Sequence, residues 1–179
     1  MMAKFPVKQY AQLEINRAAF LKTGMVGSQL PLSAEFTAEA PAENGMWVDA
    51  ERANGEYKLI SENTRKIGIV YTTEKEWGRY LEGLKTFRGV AAEGQYPRVG
   101  ELSDGDTFTT NCFDMGDYAD LAAIEAALKD APLYLIPVVG SGRPQVTATM
   151  PTEGTYARIR RTFTMPNGEG AIHYSMVQA

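Results

Sequence analysis

Apolar and polar residues alternate along most of this chain, and Gly, Pro, Asn and Asp break the alternation at short intervals. Ala34, Phe36, Ala38 and Ala40 fall on one side and Glu35, Thr37 and Glu39 on the other, the two-residue period of a half-buried strand. Pro41 to Gly45 reads as a turn. Met46–Ala50 and Tyr57–Ile60 read as strands joined around Asn54-Gly55, two residues that tolerate the positive φ of a tight hairpin. Lys66–Thr72 is a further strand. Tyr96–Leu102 and Thr107–Thr110 flank the Ser103-Asp104-Gly105-Asp106 turn, giving strand, turn, strand. Leu133–Val139, Val146–Met150, Tyr156–Met165 and Ala171–Val177 follow. The last two form a hairpin around Pro166-Asn167-Gly168-Glu169-Gly170.

Helical spacing is confined to a few places. Thr73 with Glu76 three positions on forms a capping box, and Trp77, Tyr80, Leu81, Leu84 and Phe87 repeat at helical intervals behind it. Gly78 and Gly83 weaken that helix by about 1 kcal/mol each relative to Ala, so tertiary packing must hold it. A second helix is expected over Asp117–Lys129, with Leu121, Ile124 and Leu128 inward and Pro132 closing it. Residues 1–32 read as an arm. Within it Lys8–Lys22 suggests a short helix carrying Tyr10, Leu13, Ile15, Ala18 and Phe20, with Arg17 interrupting the stripe and Gly24, Gly27 and Pro31 ending it. Such an arm either lies on a neighbouring molecule or packs locally.

The pattern therefore predicts a mainly β, α+β fold with two or three short helices. It is a β-sandwich or barrel-like single domain over residues 33–179, preceded by the arm in residues 1–32. Strand order is open, since a sandwich, a barrel and a mixed sheet all fit. A length of 179 residues suits one domain with an appendage and buries enough apolar surface to need no disulfide or metal.

Charge and composition narrow the chemistry. A net charge of -4 disfavours general binding of phosphate backbones, so nucleic acid is not an expected partner. Cys112 and His173 are each the only residue of their type, which excludes an intrachain disulfide, a multi-cysteine zinc site and a multi-histidine metal site within one chain. Leu133–Val139 is the longest apolar run and is far short of the ~20 residues that span a bilayer. No apolar stretch follows the first residues as in a secretory signal, so no membrane association is expected and the product is expected in the cytoplasm or in something assembled there.

Several constellations merit a chemical reading beside a structural one. Gly140-Ser141-Gly142 follows an apolar strand, but Gln145 stands where a dinucleotide loop needs its third Gly, and the residues beyond predict a strand; a loop between two strands is the better reading. Asp104, Asp106, Asp114, Asp117 and Asp120 are the densest acidic group. Their spacing matches no calcium loop, and turn and cap roles suit them, Asp117 as the helix cap. His173 with Cys112 or a serine would supply a nucleophilic pair, yet His173 sits on a strand and Cys112 reads as a small buried hydrophobe. No pair of carboxylates stands out for glycoside chemistry. No catalytic, cofactor or metal site is assigned.

Arg158, Arg160 and Arg161 form the one basic knot. Strand periodicity puts Tyr156, Arg158 and Arg160 on one face and Ile159 and Arg161 on the other. Tyr and Arg are favoured at protein interfaces, so contact with an acidic neighbouring subunit is preferred over base stacking. Trp47, Tyr156, Arg158 and Arg160 are the candidate partner-binding residues. Trp47, Trp77 and the tyrosines would also suit a small-molecule or carbohydrate-binding β-domain, which is the alternative.

The run Tyr96-Pro97-Arg98-Val99-Gly100-Glu101-Leu102-Ser103-Asp104-Gly105-Asp106-Thr107-Phe108-Thr109-Thr110-Asn111 resembles a segment of the auxiliary head proteins of tailed bacteriophages, the decoration or cement proteins on the outside of the shell. Glu43-Asn44-Gly45-Met46 leading into a strand resembles them too. The resemblance covers about the middle third of the chain and rests on turn-and-strand patterns. It implies a β-rich, often oligomeric, non-enzymatic virion protein on the capsid surface. Such a protein clamps neighbouring major capsid protein subunits without a cofactor and is assembled in the host cytoplasm. The arm in residues 1–32 would be its first bridging element.

Overall fold

The computed structural model describes residues 12–13, 18–21, 26–62, 66–72, 87–165 and 168–178. Their strands are β1 (Val26–Ser28), β2 (Ala42–Glu43), β3 (Trp47–Asp49), β4 (Ile67–Val70), β5 (Arg88–Gly89), β6 (Val99–Glu101), β7 (Thr107–Thr110), β8 (Tyr134–Ile136), β9 (Gln145–Thr147), β10 (Tyr156–Thr164) and β11 (Gly170–Gln178). One helix, α1 (Leu121–Asp130), lies between β7 and β8. The strands form a four-stranded sheet in the order β1-β6-β4-β3, a five-stranded sheet in the order β7-β11-β10-β8-β9, and the small pair β2-β5. The fold is mainly β, as the alternation predicts, and among the described residues the sheets stay open without closing a barrel.

Alternation along β3 and β4 explains a two-layered interior. Trp47, Ile67 and Ile69 face the five-stranded sheet and join Phe108, Leu133, Leu135, Ala157, Ile159, Ile172 and Tyr174 in the main core. Val48, Val70 and Val99 point the other way, into a second core closed by Leu32, Phe36, Tyr57 and Phe87. The four-stranded sheet is thus apolar on both faces, and every residue of β4 is buried.

Several local expectations change. Ser33–Ala40 is not a strand. Phe36 alone of the four alternating residues is buried, and the segment closes short turns in which the Phe36 amide donates to the Ser33 carbonyl (3.1 Å) and the Ala40 amide to the Thr37 hydroxyl (3.2 Å). Alanine alternation carries too little apolar area to enforce an extended, half-buried backbone. Around Asn54-Gly55 the strands meet at one bridge, Asp49 with Lys58, after a short 3-10 turn over Arg52–Asn54. β6 and β7 do not pair with each other; the Asp-Gly turn between them carries the chain from one sheet to the other. The second helix begins three residues later than Asp117 would give. Asp120 is its cap, accepting from the Ala123 amide at 2.8 Å, and Ile124 is its buried residue. The helix expected from Thr73 lies outside the described residues except for Phe87, which is buried in the second core.

The described residues 12–13 and 18–21 of the arm lie along β7 of the chain's own five-stranded sheet, while β1, also within the arm, pairs with β6 in the four-stranded sheet. Within Lys8–Lys22, where a helix was expected, Ala19 and Thr107 exchange both main-chain hydrogen bonds (2.8 and 3.0 Å), and Leu13 bridges to Thr110. Leu13 is fully buried in the main core. Phe20 lies over Gly100, where any Cβ would overlap its ring, and packs against Tyr71 (5.0 Å) and Phe108 (5.1 Å). Asp106 fastens this strip. It is fully buried, and its carboxylate accepts from the Leu21 amide (2.6 Å) and the Ser103 amide (2.8 Å).

Candidate contact surface

β10 is nine residues long and pairs with β11 on one side and β8 on the other. Its inward residues, Ala157 and Ile159, are buried in the main core, while Arg158, Arg160 and Arg161 are exposed. Two consecutive arginines face out because the register shifts between Ile159 and Arg161. Ile159 is opposite Tyr174, yet Arg161 is already opposite His173. The extra residue is a β-bulge, and it resets the alternation by one. Arg161 therefore joins the arginine row; strict periodicity had placed it with Ile159 on the core side.

The row stands on a polar sheet face. Arg158 is opposite Ser175 on β11 and Tyr134 on β8. Arg160 donates from Nε to the Ser175 hydroxyl at 2.8 Å. The Arg161 guanidinium lies 5.9 Å from the Phe163 ring centroid. His173, next along β11, has its Nδ1 2.8 Å from the Thr109 hydroxyl. None of the three arginines forms an ion pair with a described carboxylate. Arg88 and Arg143, by contrast, both reach the nearly buried Glu43, at 3.8 and 3.4 Å.

The other two candidate contact residues are not presented to a partner. Trp47 is fully buried; its Nε1 donates to the Tyr174 hydroxyl at 3.0 Å and its ring meets Tyr174 edge-on at 5.9 Å. The apolar face of β3 takes it into the main core between the sheets. Tyr156 shares the side of Arg158 by alternation but is only 5% exposed, its ring edge-on to Tyr134 at 6.0 Å. Of the four residues, Arg158 and Arg160 are the accessible ones.

The remaining chemical candidates resolve into structural roles. Burial pushes the Cys112 thiol up to about 12, against a smaller opposing pull from Arg143, so little thiolate exists near neutrality. Burial likewise raises the Tyr174 phenol, its bond from Trp47 acting the other way. Asp106 and Asp120 bind backbone amides, as described, and Asp114 accepts from the Gly116 amide at 3.0 Å. Among the described residues no group of three or more His, Cys, Asp or Glu is placed to hold a metal ion. Gly140-Ser141-Gly142 joins two antiparallel neighbours, β8 and β9, and the Gly142 carbonyl accepts from the Trp47 amide at 2.8 Å. No helix among the described residues is long and apolar enough to cross a membrane.

Sequence reasoning missed the outward turn of Arg161 and the part played by Ser175 and Tyr134 beneath the row. The available signal was the pair Arg160-Arg161 between Ile159 and Thr162, which breaks a strict two-residue period. No family model matches the chain, and neither a curated protein nor a solved structure does.

Proposed function

We propose that this chain is a non-enzymatic structural protein of a tailed-phage particle, a decoration or cement protein that binds the assembled lattice of the major capsid protein and stabilises it. The reading comes from the resemblance of Tyr96–Asn111, and one observation carries it into the fold. That segment holds β6, the Asp-Gly corner and β7, so it joins the two larger sheets.

Interior polar groups are committed to tying remote segments together around it. Asp106 holds Leu21 and Ser103. The Asn111 side chain accepts from the Gln12 amide at 2.6 Å, and the Thr110 hydroxyl donates to the Gln12 carbonyl. Asn44, in the second resembling stretch, clamps the Thr72 backbone with two bonds of 2.8 Å. Each satisfied buried bond contributes about 0.5–1.5 kcal/mol, and each costs more when half of it is removed. A module cross-tied in this way holds its shape under lateral load, which suits a protein seated at the seams of a pressurised shell. Bridging two lattice subunits adds buried interface area, and several weak contacts made together give avidity.

Arg158 and Arg160 are the contact residues this reading retains, with an acidic face of a neighbouring subunit as their partner. The small-molecule or carbohydrate alternative is less supported because Trp47, its central stacking surface, is out of solvent; Trp77 lies outside the described residues. The test is to assemble particles with and without the chain and heat them in the presence of a DNA-binding dye. Particles carrying the chain should admit the dye at a higher temperature. Equal temperatures, or particles that never retain the chain, would reject the reading.

A further inference from the structure

Two exposed patches of opposite charge stand apart on this molecule. The first is the arginine row. From Gly154 to Gly168 the sequence holds Arg158, Arg160 and Arg161 and no acidic residue. The second is the loop and helix over 114–130, which carries Asp114, Asp117, Asp120, Glu125 and Asp130 against the single cation Lys129. All five carboxylates are exposed, and none forms an ion pair among the described residues. Asp114 and Asp120 bond only to nearby backbone amides.

The two patches lie on opposite sides of β10. Helix α1 buries Ile124 in the main core beside Ile159 and Leu133, so it packs on the inward side of that strand. Arg158 and Arg160 leave from the outward side, where Arg160 meets Ser175. Within one molecule they cannot neutralise each other. Between two molecules they can.

We infer that the arginine row of β10 is a self-association surface whose occupant is the acidic ridge 114–130 of a second copy of this chain. A symmetric contact of row on row would set arginine against arginine, and ridge on ridge would set carboxylate against carboxylate. Because the patches face different ways, the contact is head-to-tail, and repeated contacts close a ring or run on as a filament. Bidentate arginine–carboxylate pairs give this contact its direction and register. The contact follows from charge placement on the chain itself and does not depend on what the assembly is used for.

The test uses the full chain alone, with no lattice, in sedimentation velocity at tens of micromolar. At low ionic strength the parent should sediment as a multiple of the single-chain mass. At about 1 M salt, where the screening length falls to roughly 3 Å, it should revert to the single chain. Two charge-reversed variants, Arg158→Glu/Arg160→Glu and Asp117→Lys/Glu125→Lys, should each be single chains at low salt, and circular dichroism will show that each is folded. Mixed in equal amounts they should associate again, since each reversed patch then meets its reversed partner. A parent that stays a single chain at low salt would overturn the inference. So would variants that associate like the parent, or folded variants that fail to recover on mixing.

Discussion

Asp106 offers the sharpest energetic test of how the N-terminal strip is held. It is fully buried, and its two carboxylate oxygens accept from amides of two separate segments, Leu21 at 2.6 Å and Ser103 at 2.8 Å. Asp106→Asn preserves shape but replaces one acceptor oxygen with an NH2 group. One of the two amides then faces a donor and stays buried without a partner. A hydrogen bond to a charged group contributes about 1.5–3 kcal/mol and an unsatisfied buried amide costs about 1–3 kcal/mol; the two overlap, so the loss should be about 2–4 kcal/mol. Domains of this size have about 5–15 kcal/mol in total and lose about 2–4 °C of Tm per kcal/mol, so the variant should melt roughly 5–15 °C lower. Urea unfolding followed by circular dichroism gives the free energy, and amide exchange locates the damage. Exchange at Leu21 or Ser103 should accelerate more than exchange in β10 and β11. A variant within 0.5 kcal/mol of the parent, with Leu21 protection unchanged, would refute the role given to this carboxylate.

Three further perturbations probe the interior. Tyr174→Phe strands the buried Trp47 Nε1–H and should cost about 1–3 kcal/mol in urea unfolding; in a double-mutant cycle with Trp47→Phe the pair should couple by about 1 kcal/mol, and additive losses would contradict the bond. Cys112 should resist alkylation at pH 8 in the native protein and react once unfolded. Because its native pKa is raised from 9.0 to about 12, the unfolded chain releases the proton first, and stability should fall by about 1.4 kcal/mol per pH unit between those values. Much of that slope should vanish in Cys112→Ala, and an unchanged slope would count against the buried-thiol account. Gly45→Ala should cost about 2–5 kcal/mol in urea unfolding, since φ is +92° there and the added Cβ would meet the Thr110 hydroxyl and come within 2.8 Å of the Cys112 Cβ; a loss under 1 kcal/mol would refute it.

Where side chains were large and strictly alternating, the sequence was easily read. Tyr156–Met165 and Ala171–Val177 contain the longest pair of strands, β10 and β11, and Lys66–Thr72 contains β4, which is fully buried. The failures have physical causes. Ala34, Ala38 and Ala40 alternate without enough apolar area to bury, and the bond the Ala40 amide donates to the Thr37 hydroxyl helps take the backbone into turns instead. Pairing between remote segments is invisible to a local pattern, so strand, turn, strand over Tyr96–Thr110 does not reveal that β6 and β7 belong to different sheets. At the contact surface the arginines were legible as a cluster. Their common outward direction was not, because the bulge after Ile159 changes phase without an inserted glycine to mark it. Trp47 was misread for a simpler reason. A tryptophan in an alternating strand has a face but no stated side, and only the position of the second sheet decides which side is dry.

A light-scattering titration tests attachment to an assembled shell. The purified chain would be added to assembled lattices of a tailed-phage major capsid protein, and in parallel to the unassembled subunits. Saturable, stoichiometric binding to the lattice, absent with free subunits and weakened in Arg158→Glu/Arg160→Glu, is the predicted result. A folded chain that ignores the lattice at every concentration would contradict the claim.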